Sequence, residues 1–211
     1  GPLAPGARPP GKTPGRAPPP PPGGGPPPGT TAAPEGFAAR LIRAVAARES
    51  QIVLGLDPDP ARLWPAALNA APDAGPVADR AAAAVAAHRR AVIDAAGPAC
   101  VAVKPQLACF ERLGAAGWTA LAQTVGHAHA AGLLVLADGK RGDIDVSAAA
   151  YAQALAGTTP TPFGDAPGLG ADALTVNPYM GRDTLAVLAS GARAVVAEPG
   201  NSGAWTGLAE A

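Results

Sequence analysis

Cysteine is scarce in this chain, methionine scarcer still, and neither sign of charge prevails. The two cysteines, Cys100 and Cys109, match neither a disulfide framework nor the spacing of a metal site. They read as free thiols in a reducing compartment. Sixteen basic and sixteen acidic side chains leave the 211 residues formally neutral, so electrostatics points to neither nucleic acid nor an anionic membrane surface as a partner. No run is long and apolar enough to cross a bilayer, and the first residues lack the apolar segment of a secretory signal. A cytoplasmic location is the expectation. The single methionine is Met180, so the sequence does not open on a translation start, and a processed chain or part of a longer product is expected.

Proline and glycine are abundant but unevenly placed. Residues 1–34 hold 14 of the 26 prolines and 8 of the 27 glycines, with proline runs at 18–22 and 26–28. Such a segment cannot bury a core, and proline removes the backbone donors that helix or sheet needs. It reads as a disordered or polyproline-like extension; ligands for proline-recognising domains share that composition, and so do linkers and mistranslated leaders. A second unit, residues 35–211, carries the fold.

In that unit Phe37, Leu41, Ile42 and Val45 recur at helical spacing, with Arg40, Arg43 and Arg48 mostly opposite. Apolar strands are then expected at 51–56, 99–103, 133–137, 173–176 and 193–197. Helices are expected between them, at about 77–96, on Trp118, Leu121, Ala122 and Val125, at about 147–155, and from Asp183. A Thr/Pro/Gly-rich loop is expected at 157–170, and Trp118 is read as core. Near-continuous apolar strands alternating with helices mark a parallel sheet covered by helices. Each strand is followed by a polar or charged residue: Asp57, Lys104, Asp138, Asn177 and Glu198. Barrel enzymes build their sites at that edge, and so do doubly wound sheets. The first strand lacks a Gly-x-Gly-x-x-Gly turn. The fold expected is therefore α/β, a (β/α)8 TIM-type barrel, with about five of the eight strand–helix units in this chain.

The densest chemistry lies in LLVLADGKRGDIDVSAAAY, residues 133–151. Asp138 and Lys140, two apart on an extended segment, point the same way. Asp143 lies past Gly142, where the chain turns into a helix, and is free to face a neighbouring subunit. Lys104 comes beside Asp138 if consecutive strands are neighbours. Alternating Lys, Asp, Lys and Asp suit the loss of carbon dioxide from a ring carbon without an electron sink. A preorganised ammonium stabilises the carbanion as it develops and then supplies a proton. A carboxylate beside the departing carboxylate disfavours bound substrate more than transition state. The plainer alternative is a solvated charged loop after a strand. His127 and His129 face different ways on a helix, which favours packing or solvated roles over a metal site. Asn177 and Tyr179 sit at the same strand edge, as lining residues or as turn formers.

Asp138, Lys140, Asp143 and Ile144 form the pattern Asp-x-Lys-x-x-Asp-Ile, which resembles the signature of the orotidine 5′-phosphate decarboxylase family. The resemblance extends to residues 55–60 (GLDPDP), 103–106 (VKPQ) with Phe110-Glu111, and 175–181 (TVNPYMG), all similar to the bacterial subgroup. It implies that Lys140 donates the proton, Asp138 lies beside the substrate carboxylate, Lys104 joins the array and contacts the ribose, and Asp57 binds a ribose hydroxyl. Asp143, Ile144 and Ser147 would be given to the partner's site in a homodimer; Ser147 stands where the family usually has threonine. The implied substrate is orotidine 5′-monophosphate, the product uridine 5′-monophosphate, and no metal or organic cofactor is implied. Residues 198–203 (EPGNSG) depart from the family's Thr-Ser-Asn-Pro pattern, and nothing matches its closing loop or phosphate-gripping strand end. A barrel takes about 250 residues and rarely fewer than about 200. The expectation is thus an incomplete chain of little activity, with the edges of its first and fifth strands exposed. Two other readings compete: a sister magnesium-dependent sugar-phosphate lyase or aldolase sharing Asp-x-Lys-x-x-Asp, and a non-catalytic remnant or binding module.

Overall fold

The computed structural model describes residues 35–191, 194–197 and 207–210, with side-chain surroundings as far as Ala189. The proline-rich leader and residues 198–203 lie outside the described residues, and the fold is that of the unit Glu35–Ala211. Five strands run parallel in the order β1 (Val53–Leu56), β2 (Ala102–Pro105), β3 (Leu134–Arg141), β6 (Ala173–Val176) and β7 (Ala194–Ala197). A further strand, β8 (Gly207–Glu210), pairs antiparallel with β7. The fifth parallel strand therefore has a neighbour on its outer side, contrary to the exposed edge expected for it. β1 ends the sheet at the other side.

The helices are α1 (Phe37–Arg48), α2 (Pro65–Asn69), α3 (Val77–Ala96), α4 (Leu107–Glu111), α5 (Gly114–Ala130), α6 (Asp145–Leu155) and α7 (Arg182–Gly191). The core joins the inner faces of α3 and α5 to the sheet, through Val85, Ile93, Leu121, Val125, Val103 and Val135. Among the described residues no helix is long and apolar enough to cross a membrane.

Residues 157–170 are not the plain loop expected of them: β4 (Thr158–Thr161) and β5 (Gly164–Pro167) form an antiparallel hairpin. The Thr161 hydroxyl donates to the Gly164 carbonyl and accepts the Phe163 N–H, while Gly164 takes a positive φ. Both strands are largely exposed, so they carry no apolar alternation to betray them. Trp118, expected in the core, is instead 38% exposed. The buried face of α5 is Gly117, Ala120, Leu121, Thr124, Val125 and Ala128, which turns positions 118 and 122 outward. Gly117 sets that rotation, because a Cβ there would stand 1.9 Å from the Phe110 carbonyl oxygen.

Two strand ends also differ from expectation. The strand expected at 99–103 starts at Ala102, since Gly97–Ala99 extend α3 by a 3-10 turn closed by the Cys100 N–H on the Gly97 carbonyl. The strand expected to stop at 137 runs on to Arg141. Lys104, Asp138 and Lys140 thus lie within strands rather than after them.

Candidate active site

β3 reaches Arg141 only through an irregularity. Its register against β6 shifts between Ala137 and Arg141, and Lys140, inside that stretch, has φ +47°. A non-glycine residue in the left-handed region costs about 1–2 kcal/mol, and such strain gathers at functional sites. The bend keeps the Lys140 ammonium close to its own strand, with Nζ 2.6 Å from Asp138 Oδ1. From β2, Lys104 Nζ reaches Asp138 Oδ2, also at 2.6 Å. Gln106 Nε2 donates to the same oxygen at 3.0 Å, and the Thr175 hydroxyl donates to Oδ1 at 2.8 Å.

Each oxygen of Asp138 therefore accepts two donors, and the residue is 2% exposed. Burial pushes its pKa up, but the hydrogen bonds from Lys104, Lys140 and Thr175 outweigh burial and hold it below the ordinary value. The result is a buried anion flanked by two half-exposed ammonium groups at the C-terminal edge of a parallel sheet. That edge is where (β/α) barrels work.

Lys104, Asp138 and Lys140 are thus brought together as the sequence implied. Asp57 follows β1 at the same edge and is exposed. Asp143 turns its carboxylate back to accept the Ile144 N–H at 2.8 Å. Ile144 and Ser147 are exposed at the start of α6. Asn177 donates its side-chain amide to the Lys140 carbonyl at 3.0 Å, and its own N–H to the Arg141 carbonyl at 2.7 Å. Gly142 allows that approach, because a Cβ there would stand 2.9 Å from the Asn177 carbonyl oxygen. Arg141 pairs with Glu111 and stacks over Tyr151, bracing the turn.

Gln106 and Thr175 had no assigned role in the sequence reading. The signal was available: each lies two residues from a residue already singled out, Lys104 and Asn177, on an extended segment where alternate residues share a face. His127 pairs with the exposed Asp94 and His129 with the buried Asp172, so a carboxylate of another part of the chain holds each histidine. Among the described residues no group of three or more His, Cys, Asp or Glu could hold a metal ion. A cavity of about 660 Å³ lined by Arg40, Arg48 and Asp172 lies beside α1 and the start of β3, and none of its lining residues belongs to the cluster.

Residues 50–199 match the model of the orotidine 5′-phosphate decarboxylase / HUMPS family. The chain belongs to that family. An orotidine 5′-phosphate decarboxylase of Natronomonas pharaonis is 44% identical over 138 residues, 65% of this chain and 43% of the relative. One of Herpetosiphon aurantiacus is 39% identical over 149 residues, 71% of this chain and 48% of the relative. The solved OMP decarboxylase of Leishmania donovani is 30% identical with a TM-score of 0.55, covering 77% of this chain and 53% of that one. The chain thus spans about half or less of the length of these relatives. Orotidine 5′-phosphate decarboxylases are carboxy-lyases on a TIM barrel, and the parallel sheet β1-β2-β3-β6-β7 is the part of that barrel bearing the Lys–Asp–Lys cluster.

Proposed function

We propose that this chain supplies the catalytic lysines and aspartates of a cofactor-free orotidine 5′-monophosphate decarboxylase in pyrimidine synthesis. The observation that carries the reading is the Lys104–Asp138–Lys140 array, with one buried carboxylate held ionised between two ammonium groups. With substrate bound, the bond between the ring carbon and its carboxylate breaks and carbon dioxide leaves. The electron pair stays on the ring carbon, next to the Lys140 ammonium. Lys140 then transfers a proton to that carbon and is reprotonated from solvent. Asp138 opposes the substrate carboxylate before it leaves, and Lys104 balances Asp138 while contacting the ribose. Asp57, exposed after β1, accepts from a ribose hydroxyl in this reading.

The same reading makes the working unit a homodimer. Asp143, Ile144 and Ser147 sit in the turn into α6 and in its first turn, and the apolar Ile144 and Val146 there are 51% and 83% exposed. Exposed apolar groups beside an acid fit a surface given to a second copy. The free thiols Cys100 and Cys109 fit a reducing cytoplasm.

The test is product formation from orotidine 5′-monophosphate by the whole protein containing this chain, with Lys140→Ala alongside. Removing a positioned proton donor should cost at least about 100-fold to 10,000-fold in rate. Unchanged turnover in the variant would sink the role of Lys140, and no turnover by the parent protein would sink the decarboxylase reading itself.

A further inference from the structure

We propose that Thr175 and Asn177 are positioning residues, clamping the two peptide groups that flank Lys140 so that its ammonium stays on Asp138. The inference rests on the decarboxylase reading. Lys140 has a left-handed backbone inside a strand whose ladder to β6 is interrupted. There its N–H and its C=O each meet a protein partner. Both partners are side chains from the neighbouring strand and its end. The Lys140 N–H donates to Thr175 Oγ1 at 3.0 Å, and the Lys140 carbonyl accepts Asn177 Nδ2 at 3.0 Å. Thr175 and Asn177 are alternate residues of an extended segment, so one face presents both.

The Thr175 hydroxyl has a fixed polarity. An amide N–H can only donate, so Oγ1 accepts from Lys140 and its single proton goes to Asp138 Oδ1, 2.8 Å away. One buried hydroxyl, on a residue 1% exposed, therefore ties the backbone of the proposed proton donor to the carboxylate that faces it. Valine fills the same space without either bond, and serine keeps both, which separates positioning from packing.

The test uses the full chain and NMR, with hydrogen exchange at the Lys140 amide and titration of the Asp138 carboxyl carbon as readouts. Thr175→Val should speed Lys140 exchange by about tenfold, the worth of one lost hydrogen bond. It should also move the Asp138 titration up towards the ordinary carboxyl range. The buried Val103 amide in β2 should keep its protection, which excludes general loosening. Thr175→Ser should restore both readouts. Wild-type exchange and titration in Thr175→Val would overturn the proposal. Should that variant fail to fold, Asn177→Ala decides at the Arg141 amide, which shares a peptide group with the Lys140 carbonyl that Asn177 holds, because wild-type protection there would overturn the clamp. Neither readout needs turnover, so a chain that forms no product defeats the decarboxylase reading while the clamp stands or falls on the exchange data. Where turnover is measurable, Thr175→Val should lower kcat by up to about a hundredfold with KM little changed.

Discussion

Lys104 Nζ lies 2.6 Å from Asp138 Oδ2, an ion pair made across two neighbouring strands by residues 34 apart in sequence. Parallel pairing of β2 with β3 makes it possible, and the isolated bridge between Gln106 and Asp138 continues that pairing to the sheet edge. Asp138 is the partner that cannot be spared, since both lysines aim at it. Asp138→Asn should remove the carboxylate that both ammonium groups hold. Because each lysine is a third or more exposed, solvent screening limits the stability loss to about 1–2 kcal/mol. The loss in kcat should be far larger, about 100-fold or more. Urea denaturation and product assays on one preparation check both halves. Equal, small effects on each would show that the carboxylate is only structural.

Much of this site was legible in the sequence because strand periodicity does not depend on tertiary detail. Residues two apart share a face, which put Asp138 and Lys140 together, although the structure makes the contact through a bend at Lys140; the same rule points to Gln106 and Thr175. Strand order placed Lys104 beside Asp138. What stayed hidden depends on packing. The left-handed Lys140 backbone follows from a register shift that only the pairing with β6 imposes. The outward turn of Trp118 follows from the close approach of α4 to Gly117. The β4–β5 hairpin is held by turn hydrogen bonds on a polar, exposed ribbon, where hydrophobic pattern says nothing.

Gly117 offers a test of that close approach. Alanine is the better helix former by about 1 kcal/mol, so on propensity alone Gly117→Ala should stabilise α5. However, its Cβ would fall 1.9 Å from the Phe110 carbonyl oxygen, a backbone atom. Overpacking of that kind costs about 1–3 kcal/mol and occasionally more. The clash should win, and thermal denaturation should show a lowered Tm. A Tm raised above that of the parent would mean that α4 does not pack closely on α5 at this position.

The proposed sharing of sites between subunits predicts complementation. Lys140→Ala removes the proton donor of a chain's own site, whereas Asp143→Ala removes the group that chain gives to its partner. Mixed after dissociation, the two variants should form hybrids in which one site has both a native Lys140 and a native Asp143. Activity should appear that neither variant has alone. If mixing restores nothing although the variants exchange subunits, Asp143 serves its own chain.

The two buried carboxylates predict the shape of the acid limb of stability. Burial pushes both Asp138 and Asp172 up, but hydrogen bonds outweigh it and leave both below the ordinary value; for Asp172 the donors are His129, the Val135 N–H and Arg40. An unfolded aspartate titrates at about 3.9. Between that value and the lower folded ones the unfolded chain binds more protons, so stability rises with pH across the window. The contribution is complete above about pH 5 and is lost as pH falls through the folded values. Asp172→Asn should be less stable than the parent at pH 7, where Arg40 loses its partner at 2.6 Å. That difference should shrink steadily as pH falls below about 4, because the parent then loses the same ion pair by protonation. Urea midpoints from pH 7 to pH 2 measure it. Parallel curves for the two proteins would mean that Asp172 does not titrate with folding, and that the acid limb is set elsewhere.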